Sequence, residues 1–416
     1  MSVKIEAVRG TKDVLPAESY KWRYVEKKAT ETALRYGFDE VRFPTFEKTE
    51  LFRRGVGETT DVVQKEMYTF ETKGGDSITL RPEGTASVAR LCLENGLFAG
   101  LLPLKLFYII SCFRYEKPQA GRYREFHQFG VELYGSQDPR SDVEVISLVR
   151  DFLASLGFDH VEVRLNSIGC PSCRAEYRKA LIAFFEERKD RLCETCRDRL
   201  YRNPMRILDC KCPECRKAAE GAPVITDYLC EECRTHFERV RGGLTDAGIL
   251  FAVDPGIIRG LDYYTKTVFE FVDADTGLAI LGGGRYDGLI HELDGKLDVC
   301  GIGFAAGLER LISLMESKGL SFGEKPACRI FLAGLGEQGE KKAAELTGKL
   351  RRAGISASSD ISGRSLKAQM KYADRIGAAY TMVLGDDEIA AGEADLRRMS
   401  DGEKRKVSLS CPENWF

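Results

Sequence analysis

The chain has 416 residues, 43% of them hydrophobic and 30% charged, with a formal net charge of −2. That length predicts two or three domains around a large core, the composition is that of a soluble globular chain, and no apolar run is long enough to cross a bilayer. A near-neutral balance excludes a global basic field, so any nucleic-acid partner has to be held by local patches. The start, Met-Ser-Val-Lys-Ile-Glu, lacks an apolar signal core, which predicts a cytoplasmic protein. In that compartment fourteen cysteines read as thiols or metal ligands and not as disulfides.

Arg9-Gly10-Thr11-Lys12-Asp13 with Pro16 reads as an entry loop. Residues 18–36 carry Trp22, Val25, Ala29 and Tyr36 near helical spacing with Gly37 as a stop, which predicts an amphipathic helix. Residues 38–43 read as a strand closed by Pro44, and residues 77–80 as another. In Arg81-Pro82-Glu83-Gly84-Thr85-Ala86 the Glu83 carboxylate and the Thr85 hydroxyl fall on one side of an extended backbone. Such a pair suits an ammonium group, and it equally suits the cap of a helix over 86–94.

Residues 107–134 predict a hairpin: an apolar strand to 114, a charged loop with Pro118 and Gly121, then an alternating strand from 125. On the second strand Phe129, Val131 and Leu133 face one way and Gln128, Gly130, Glu132 and Tyr134 the other. An amide, a carboxylate and a phenol around a glycine exceed what a solvated face needs. Arg114, Arg122 and Arg124 bracket the loop, and guanidinium forks suit phosphate oxygens.

Residues 166–249 are charge-rich, helical in pattern and hold nine cysteines. Four CxxC pairs occur, Cys170/Cys173, Cys193/Cys196, Cys212/Cys215 and Cys230/Cys233, with Cys210 left over. Eight such thiolates suit two tetrahedral structural zinc sites, because two intervening residues let both sulfurs of a pair reach one ion. The alternative is unpaired thiols in a helical insertion.

From residue 250 strands return at 267–272 and from 278, after Arg259-Gly260-Leu261-Asp262-Tyr263-Tyr264. Gly282-Gly283-Gly284-Arg285-Tyr286 is read as backbone free to approach a ligand closely. Gly301-Ile302-Gly303-Phe304-Ala305-Ala306-Gly307-Leu308-Glu309-Arg310 leads into a helix; its glycine spacing does not fit a dinucleotide fingerprint. Beyond a polar linker over 318–326, strands at 329–333, 355–358 and 380–384 alternate with helices at 337–353 and 365–376, which predicts a small mixed α/β unit. From Ala327 on there are 15 Lys+Arg against 13 Asp+Glu, too balanced to indicate RNA.

Phe113-Arg114-Tyr115-Glu116 with Gly121-Arg122-Tyr123-Arg124-Glu125-Phe126-His127-Gln128 resembles the second signature motif of class II aminoacyl-tRNA synthetases, and within that class the histidyl-tRNA synthetase family. The hexapeptide from Arg259 to Tyr264, the run ending in Arg310, and Gly363-Arg364-Ser365-Leu366-Lys367 are similar to the same family. The resemblance runs from Arg9 to about Asp387. It implies an α/β (α+β) fold: a class II antiparallel sheet flanked by helices over 1–165 and 250–324, a helical Cys-rich insertion at 166–249 over the tRNA acceptor arm, and a C-terminal anticodon-binding α/β domain at 327–416. It also implies a homodimer through the first helix and strand.

By the same resemblance the substrates are L-histidine, ATP with Mg²⁺, and tRNA(His). Arg114 is expected on the α-phosphate, Arg122 and Arg310 on the β,γ-phosphates, and Arg259 between the amino acid carboxylate and the α-phosphate. Arg259 and Arg114 are thus the expected catalytic groups. Glu83 and Thr85 are expected to hold the α-amino group, and Gln128, Glu132, Tyr263, Tyr264 and Tyr286 to complete the histidine pocket. An imidazole donates from one ring nitrogen and accepts at the other, which Glu132 and Tyr264 can serve. His127 falls on the opposite strand face from Gln128 and is not expected as a base. The rival implied by the fold is the synthetase-like regulatory subunit of ATP phosphoribosyltransferase, which usually lacks the C-terminal domain.

Overall fold

A computed structural model describes residues 5–58, 60–118, 121–325 and 327–416. Met1–Lys4, and Pro326 at the end of the expected linker, lie outside the described residues, as do Thr59 and two residues of the hairpin loop, Gln119 and Ala120. The chain divides into two units, Met1–Phe322 and Gly323–Phe416.

The larger unit is built on the expected hairpin. Leu104–Phe113 and Glu125–Tyr134 pair antiparallel from Leu104 opposite Tyr134 to Phe113 opposite Glu125. The sheet continues from Glu125–Tyr134 through Gly301–Gly307, Ala279–Arg285 and Thr265–Asp273 to Val161–Ser167, all antiparallel, with Asp39–Glu40 and Phe251–Val253 as parallel edges. Alternation along Glu125–Tyr134 divides its side chains as the pattern requires. Phe129, Val131 and Leu133 enter a core shared with Val25 and Ala29 of the helix Ser19–Arg35, with Val149 and Phe152 of Arg140–Ser155, and with Leu311 of Leu308–Ser317. Each such buried apolar side chain stabilises the sheet by roughly 1.5–3 kcal/mol.

The opposite face is not wet. Glu132 and Tyr134 are fully buried and Gln128 nearly so, beneath the helix Thr85–Glu94 and the aromatic residues Tyr264 and Tyr286.

The glycine-rich segments are strands: Gly282-Gly283-Gly284 lies in Ala279–Arg285, the strand expected from 278, and the run from Gly301 forms Gly301–Gly307 ahead of the helix Leu308–Ser317. A Cβ on Gly282 would stand 2.5 Å from an Arg259 guanidinium nitrogen, and one on Gly303 would collide with the Glu132 carboxylate. These glycines make room for functional side chains that cross the sheet. The strand expected at 38–43 shortens to Asp39–Glu40, because the carbonyls of Phe43 and Pro44 turn to the Arg81 guanidinium at 2.8 and 3.0 Å.

Between Val161–Ser167 and Phe251–Val253 the insertion is helical, with an apolar core of its own around Tyr177, Leu181, Phe185, Leu200 and Ile207. Four of its helices, Pro171–Glu186, Glu194–Arg202, Pro213–Ala219 and Glu231–Asp246, each start immediately after a cysteine.

The smaller unit has a five-stranded sheet in the order Ala357–Ser359, Ile330–Gly334, Tyr380–Leu384, Glu393–Arg398, Lys404–Ser408. The first three strands are parallel and the last two form an antiparallel hairpin. Gly336–Arg352 packs Leu346 and Leu350 onto Ile330, Leu332 and Trp415.

Candidate active site

Arg114, Arg122, Gln128, Arg259 and Arg310 line one cavity of about 340 Å³, together with Glu116, Glu270 and the backbone of Gly282. Their elements explain the convergence. Arg114 follows the first hairpin strand, Gln128 sits on the second, Arg310 opens the helix Leu308–Ser317, and Arg259 precedes Thr265–Asp273. Single guanidinium donors anchor them: Arg114 Nε to the Pro82 carbonyl at 2.8 Å, Arg310 Nη1 to the Ala279 carbonyl at 2.7 Å. Arg122 approaches Glu116 at 3.5 Å and Arg259 donates to Glu270. Burial, followed by the nearby Arg122 charge, lowers the Arg310 pKa from its usual value. Four guanidinium groups around one cavity call for a polyanion.

The Arg259 guanidinium lies 5.8 Å from the Tyr264 ring centroid, and from there a closed polar pocket continues. Tyr263 packs at 4.7 Å on Tyr264 and 5.6 Å on Tyr286. Tyr286 donates to Glu132, which also accepts from Thr85 Oγ1 at 2.7 Å and Tyr108 Oη at 3.1 Å. Burial pushes the Glu132 carboxyl up to about 8, with the Tyr286 and Thr85 hydroxyls opposing it and the Glu83 charge adding to it. Glu83, also buried, accepts from the backbone N–H groups of Thr85 and Ala86 at 2.8 Å each. The helix Thr85–Glu94 is thus capped by Glu83, while the Thr85 hydroxyl serves Glu132. Burial raises the Glu83 pKa against those two donors.

His127 is on the other face: Nδ1 pairs with Glu309 at 2.9 Å and the ring meets Trp22 edge-on at 5.0 Å.

Three features escaped the sequence reading. Tyr108 reaches Glu132 because it stands opposite Gly130, where its ring occupies the space of a side chain; a tyrosine paired across a hairpin with a glycine is a signal that register alone can reveal. Glu270 on the cavity wall holds Arg259. Arg285, fully buried, is gripped by Asp142, Ser141 and Asp287, with His236 Nε2 3.2 Å from Asp142. That network pins the glycine-rich strand to the helix Arg140–Ser155 and stands outside the cavity.

The cysteines gather into two groups whose sulfurs lie within 4.8 Å of one another: Cys170, Cys173, Cys230 and Cys233, and Cys193, Cys196, Cys210 and Cys215. A tetrahedral zinc with Zn–S near 2.3 Å requires sulfur separations of about 3.8 Å, and Cys170 lies 3.5 Å from Cys173 and 4.0 Å from Cys230. Backbone N–H groups of Cys230 and Cys193 donate to Cys173 and Cys215 at 3.1 and 3.2 Å, as thiolate ligands need. The second group corrects the expected ligand set, with Cys210 in the place of Cys212. The two are separated by Lys211 alone, and their sulfurs diverge. The Cys212 N–H faces the Cys210 sulfur at 3.5 Å, and only Cys210 points into the group.

A family profile described as histidyl-tRNA synthetase matches residues 10–189 and 211–311, and one described as an anticodon binding domain matches 329–414. A histidine–tRNA ligase of Caldicellulosiruptor saccharolyticus is 55% identical over 409 residues, 98% of this chain and 97% of that protein. The crystal structure of apo Staphylococcus aureus histidyl-tRNA synthetase superposes with a TM-score of 0.85 at 39% identity, over 99% of this chain and 100% of that one. A Bacillus halodurans structure described as an ATP phosphoribosyltransferase regulatory subunit/histidyl-tRNA synthetase shares the fold, at a TM-score of 0.66 and 22% identity over 89% of this chain and 97% of that one.

Proposed function

The chain belongs to the histidyl-tRNA synthetase family, and from that premise we propose how its cleft activates histidine with ATP and passes it to tRNA(His). It is an aminoacyl-tRNA ligase. The histidine carboxylate oxygen bonds to the α-phosphorus as the bond to pyrophosphate breaks; a ribose hydroxyl at the tRNA 3′ end then attacks the adenylate carbonyl, losing its proton as AMP leaves. No protein nucleophile is needed, so the residues contribute position and charge.

Arg114 holds the α-phosphate, and Arg122 and Arg310 the β,γ-phosphates. Mg²⁺ enters with ATP, and the carboxylates on the cavity wall that would face it are Glu116, Glu270 and Glu309. Arg259 offsets the repulsion between the incoming carboxylate and the α-phosphate; its Nε is buried without a hydrogen-bond partner among the described residues, a donor left for a ligand. Glu83 faces the ammonium group. Thr85 donates to Glu132, so its part in this reading is to hold Glu132. Glu132 and Tyr264 serve the two ring nitrogens of histidine, and Gln128, Tyr263 and Tyr286 enclose them. A pocket whose buried polar groups need partners rejects amino acids that lack them by about 10⁴-fold.

A groove lined by Arg174, Arg178, Arg202 and Arg206 beside Asp262 supports contact with tRNA acceptor phosphates. The two thiolate groups fit structural zinc, which would brace the insertion without touching the reaction. A homodimer through the first helix, Ser19–Arg35, and the strand after it belongs to the same reading, in keeping with the exposed Leu34 on that helix, and light scattering tests it. No described helix is long and apolar enough to cross a membrane. A cytoplasmic site of action follows from the role in translation.

The observation that carries this reading is the convergence of Arg114, Arg122, Arg259 and Arg310 beside the Glu132 pocket. Exchange of labelled pyrophosphate into ATP, run with each of the twenty amino acids, tests it. Histidine alone is expected to support exchange; none at all would favour the regulatory-subunit reading. That second reading is disfavoured by the 55% identity to a ligase over nearly the whole chain.

A further inference from the structure

The two thiolate groups differ in what they touch. Both groups border the insertion's own core; the segment between Cys196 and Cys210 also carries Asn203, which donates to Asp262 at 3.4 Å, and Arg206, which donates to the Gly260 carbonyl at 2.7 Å. The Cys170 group lies where the insertion leaves the sheet. Just ahead of Cys170, the Gly169 carbonyl accepts from the Lys266 N–H at 3.0 Å, and the Lys266 carbonyl accepts from the Ile168 N–H at 2.8 Å. Arg174, next to Cys173, donates Nη1 to the Tyr264 carbonyl at 3.2 Å. From the other pair Glu232, between Cys230 and Cys233, holds Lys266 Nζ at 2.9 Å, and Asp287 approaches the same Nζ at 3.5 Å.

Lys266 is the one non-glycine residue with positive φ (49°) among the described residues. It lies at a bulge in the sheet: Gly284 pairs with Val268 while Arg285 pairs with Thr265. A bulge re-aims the side chains next to it, and a left-handed lysine persists only where its surroundings over-determine it. Here those surroundings are both cysteine pairs of one group. Gly169 is itself left-handed (φ +64), and a Cβ there would lie 2.5 Å from the Cys173 Cβ, so the turn that meets Lys266 is shaped to the first pair.

We propose that metal bound by Cys170, Cys173, Cys230 and Cys233 is a strut for the histidine-binding segment, with Lys266 as the positioning residue through which it aims Tyr263 and Tyr264. This rests on the histidine pocket and the zinc reading given above. With the metal bound the two pairs form one rigid clasp. Without it they separate, Lys266 relaxes out of the left-handed turn, and Tyr264 withdraws from its place beside Arg259. Metal occupancy at this group therefore sets histidine affinity and leaves the nucleotide cavity alone, while the Cys193 group braces the insertion and meets the sheet unit through Arg199, Asn203 and Arg206 at Asp61, Gly260 and Asp262.

The test compares full-length Cys230→Ser, Cys210→Ser and Lys266→Met with wild type, reading zinc per chain by elemental analysis, KM for histidine and ATP by pyrophosphate exchange, and histidine affinity by calorimetry. Wild type is expected to carry two zinc ions. Cys230→Ser loses one and raises the histidine KM about tenfold or more, with the ATP KM within about twofold. Cys210→Ser also loses one and lowers melting temperature, and because its segment meets Gly260 and Asp262 it raises the histidine KM by less than Cys230→Ser does. Lys266→Met keeps both ions yet raises the histidine KM several-fold, and Lys266→Arg restores it in large part. Loss of zinc from Cys230→Ser with an unchanged histidine KM overturns the strut, as does wild type without zinc at this group. If wild type shows no histidine-dependent exchange, the enzymatic reading fails instead, and calorimetry still reports whether zinc controls histidine affinity.

Discussion

In the arginine-lined cavity, among the described residues, Arg114 and Arg310 each donate to one backbone carbonyl while Arg114 and Arg122 approach Glu116 at 4.0 and 3.5 Å, so guanidinium donors remain for a ligand. In the adjoining pocket Glu132 accepts from three hydroxyls and is wholly buried. The first region gathers like charges that a polyanion relieves. The second is organised before any ligand arrives, its polar atoms fixed by one another. Affinity for a triphosphate needs charge more than exact placement, whereas recognition of a small ring needs placement that water cannot disturb. Arg259 belongs to both regions, lining the cavity and standing over Tyr264.

Removing that shared group has the largest expected effect. Arg259→Ala lowers histidine-dependent pyrophosphate exchange by about 10³-fold or more, and Arg259→Lys recovers little, since an ammonium lacks the fork. If Arg259→Ala exchanged pyrophosphate at the wild-type rate at saturating ATP and histidine, Arg259 would serve neither region.

Next comes the pocket. Glu132→Gln lowers kcat/KM for histidine by about 10²-fold, with the ATP KM within about twofold. The same residue gives the comparison a pH signature. Burial raises the Glu132 pKa from 4.5 to about 8 in the folded chain. A carboxyl raised on folding contributes stability that is full below its unfolded pKa and is lost as pH rises through the folded one. Between pH 5 and 8.5 the unliganded wild type should lose stability on the order of a few kcal/mol that Glu132→Gln retains, read by urea unfolding.

A smaller effect is expected from Gly303→Ala. The added Cβ meets the Glu132 carboxylate and the Val131 carbonyl, and such overpacking costs about 1–3 kcal/mol. Melting temperature should fall and histidine KM rise, with ATP binding preserved. The smallest belongs to Arg122→Ala, whose side chain is 41% exposed: about a tenfold rise in ATP KM, diminishing as salt is added, with histidine KM unmoved. A large shift in histidine KM there would erase the distinction between the regions.

What the chain itself made legible was whatever depends on local period or spacing. Period-two alternation put Gln128 and Glu132 on one strand face and His127 on the other, and the CxxC spacing marked the insertion as a place for thiolate groups. The first and last pairs, Cys170/Cys173 and Cys230/Cys233, gather whole into one group. The second group does not keep its pairs whole, because spacing constrains sulfurs within a pair and says nothing of which pair meets which; Cys210 and Cys212 were distinguished only by the turn between them. The family profile skips 190–210, the segment with Cys193, Cys196 and Cys210, so resemblance was silent there as well.

In the smaller unit the hairpin Glu393–Arg398 and Lys404–Ser408 went unread because its strands are short and charged, with few residues facing the core.

By itself the sequence determined the class of fold, the order of its elements, the family, and the residue types of the cleft, since these follow from periodicity and contiguous motifs. Tertiary structure alone decided that the polar strand face is closed over, that the glycine runs give up side-chain space to Arg259 and Glu132, that Tyr108 and Glu270 complete the walls, and that Lys266 meets Gly169 and Glu232, which stand beside two distant cysteine pairs. Those are matters of register between strands far apart in the chain. Side chains that share a cavity wall need share no spacing in the sequence.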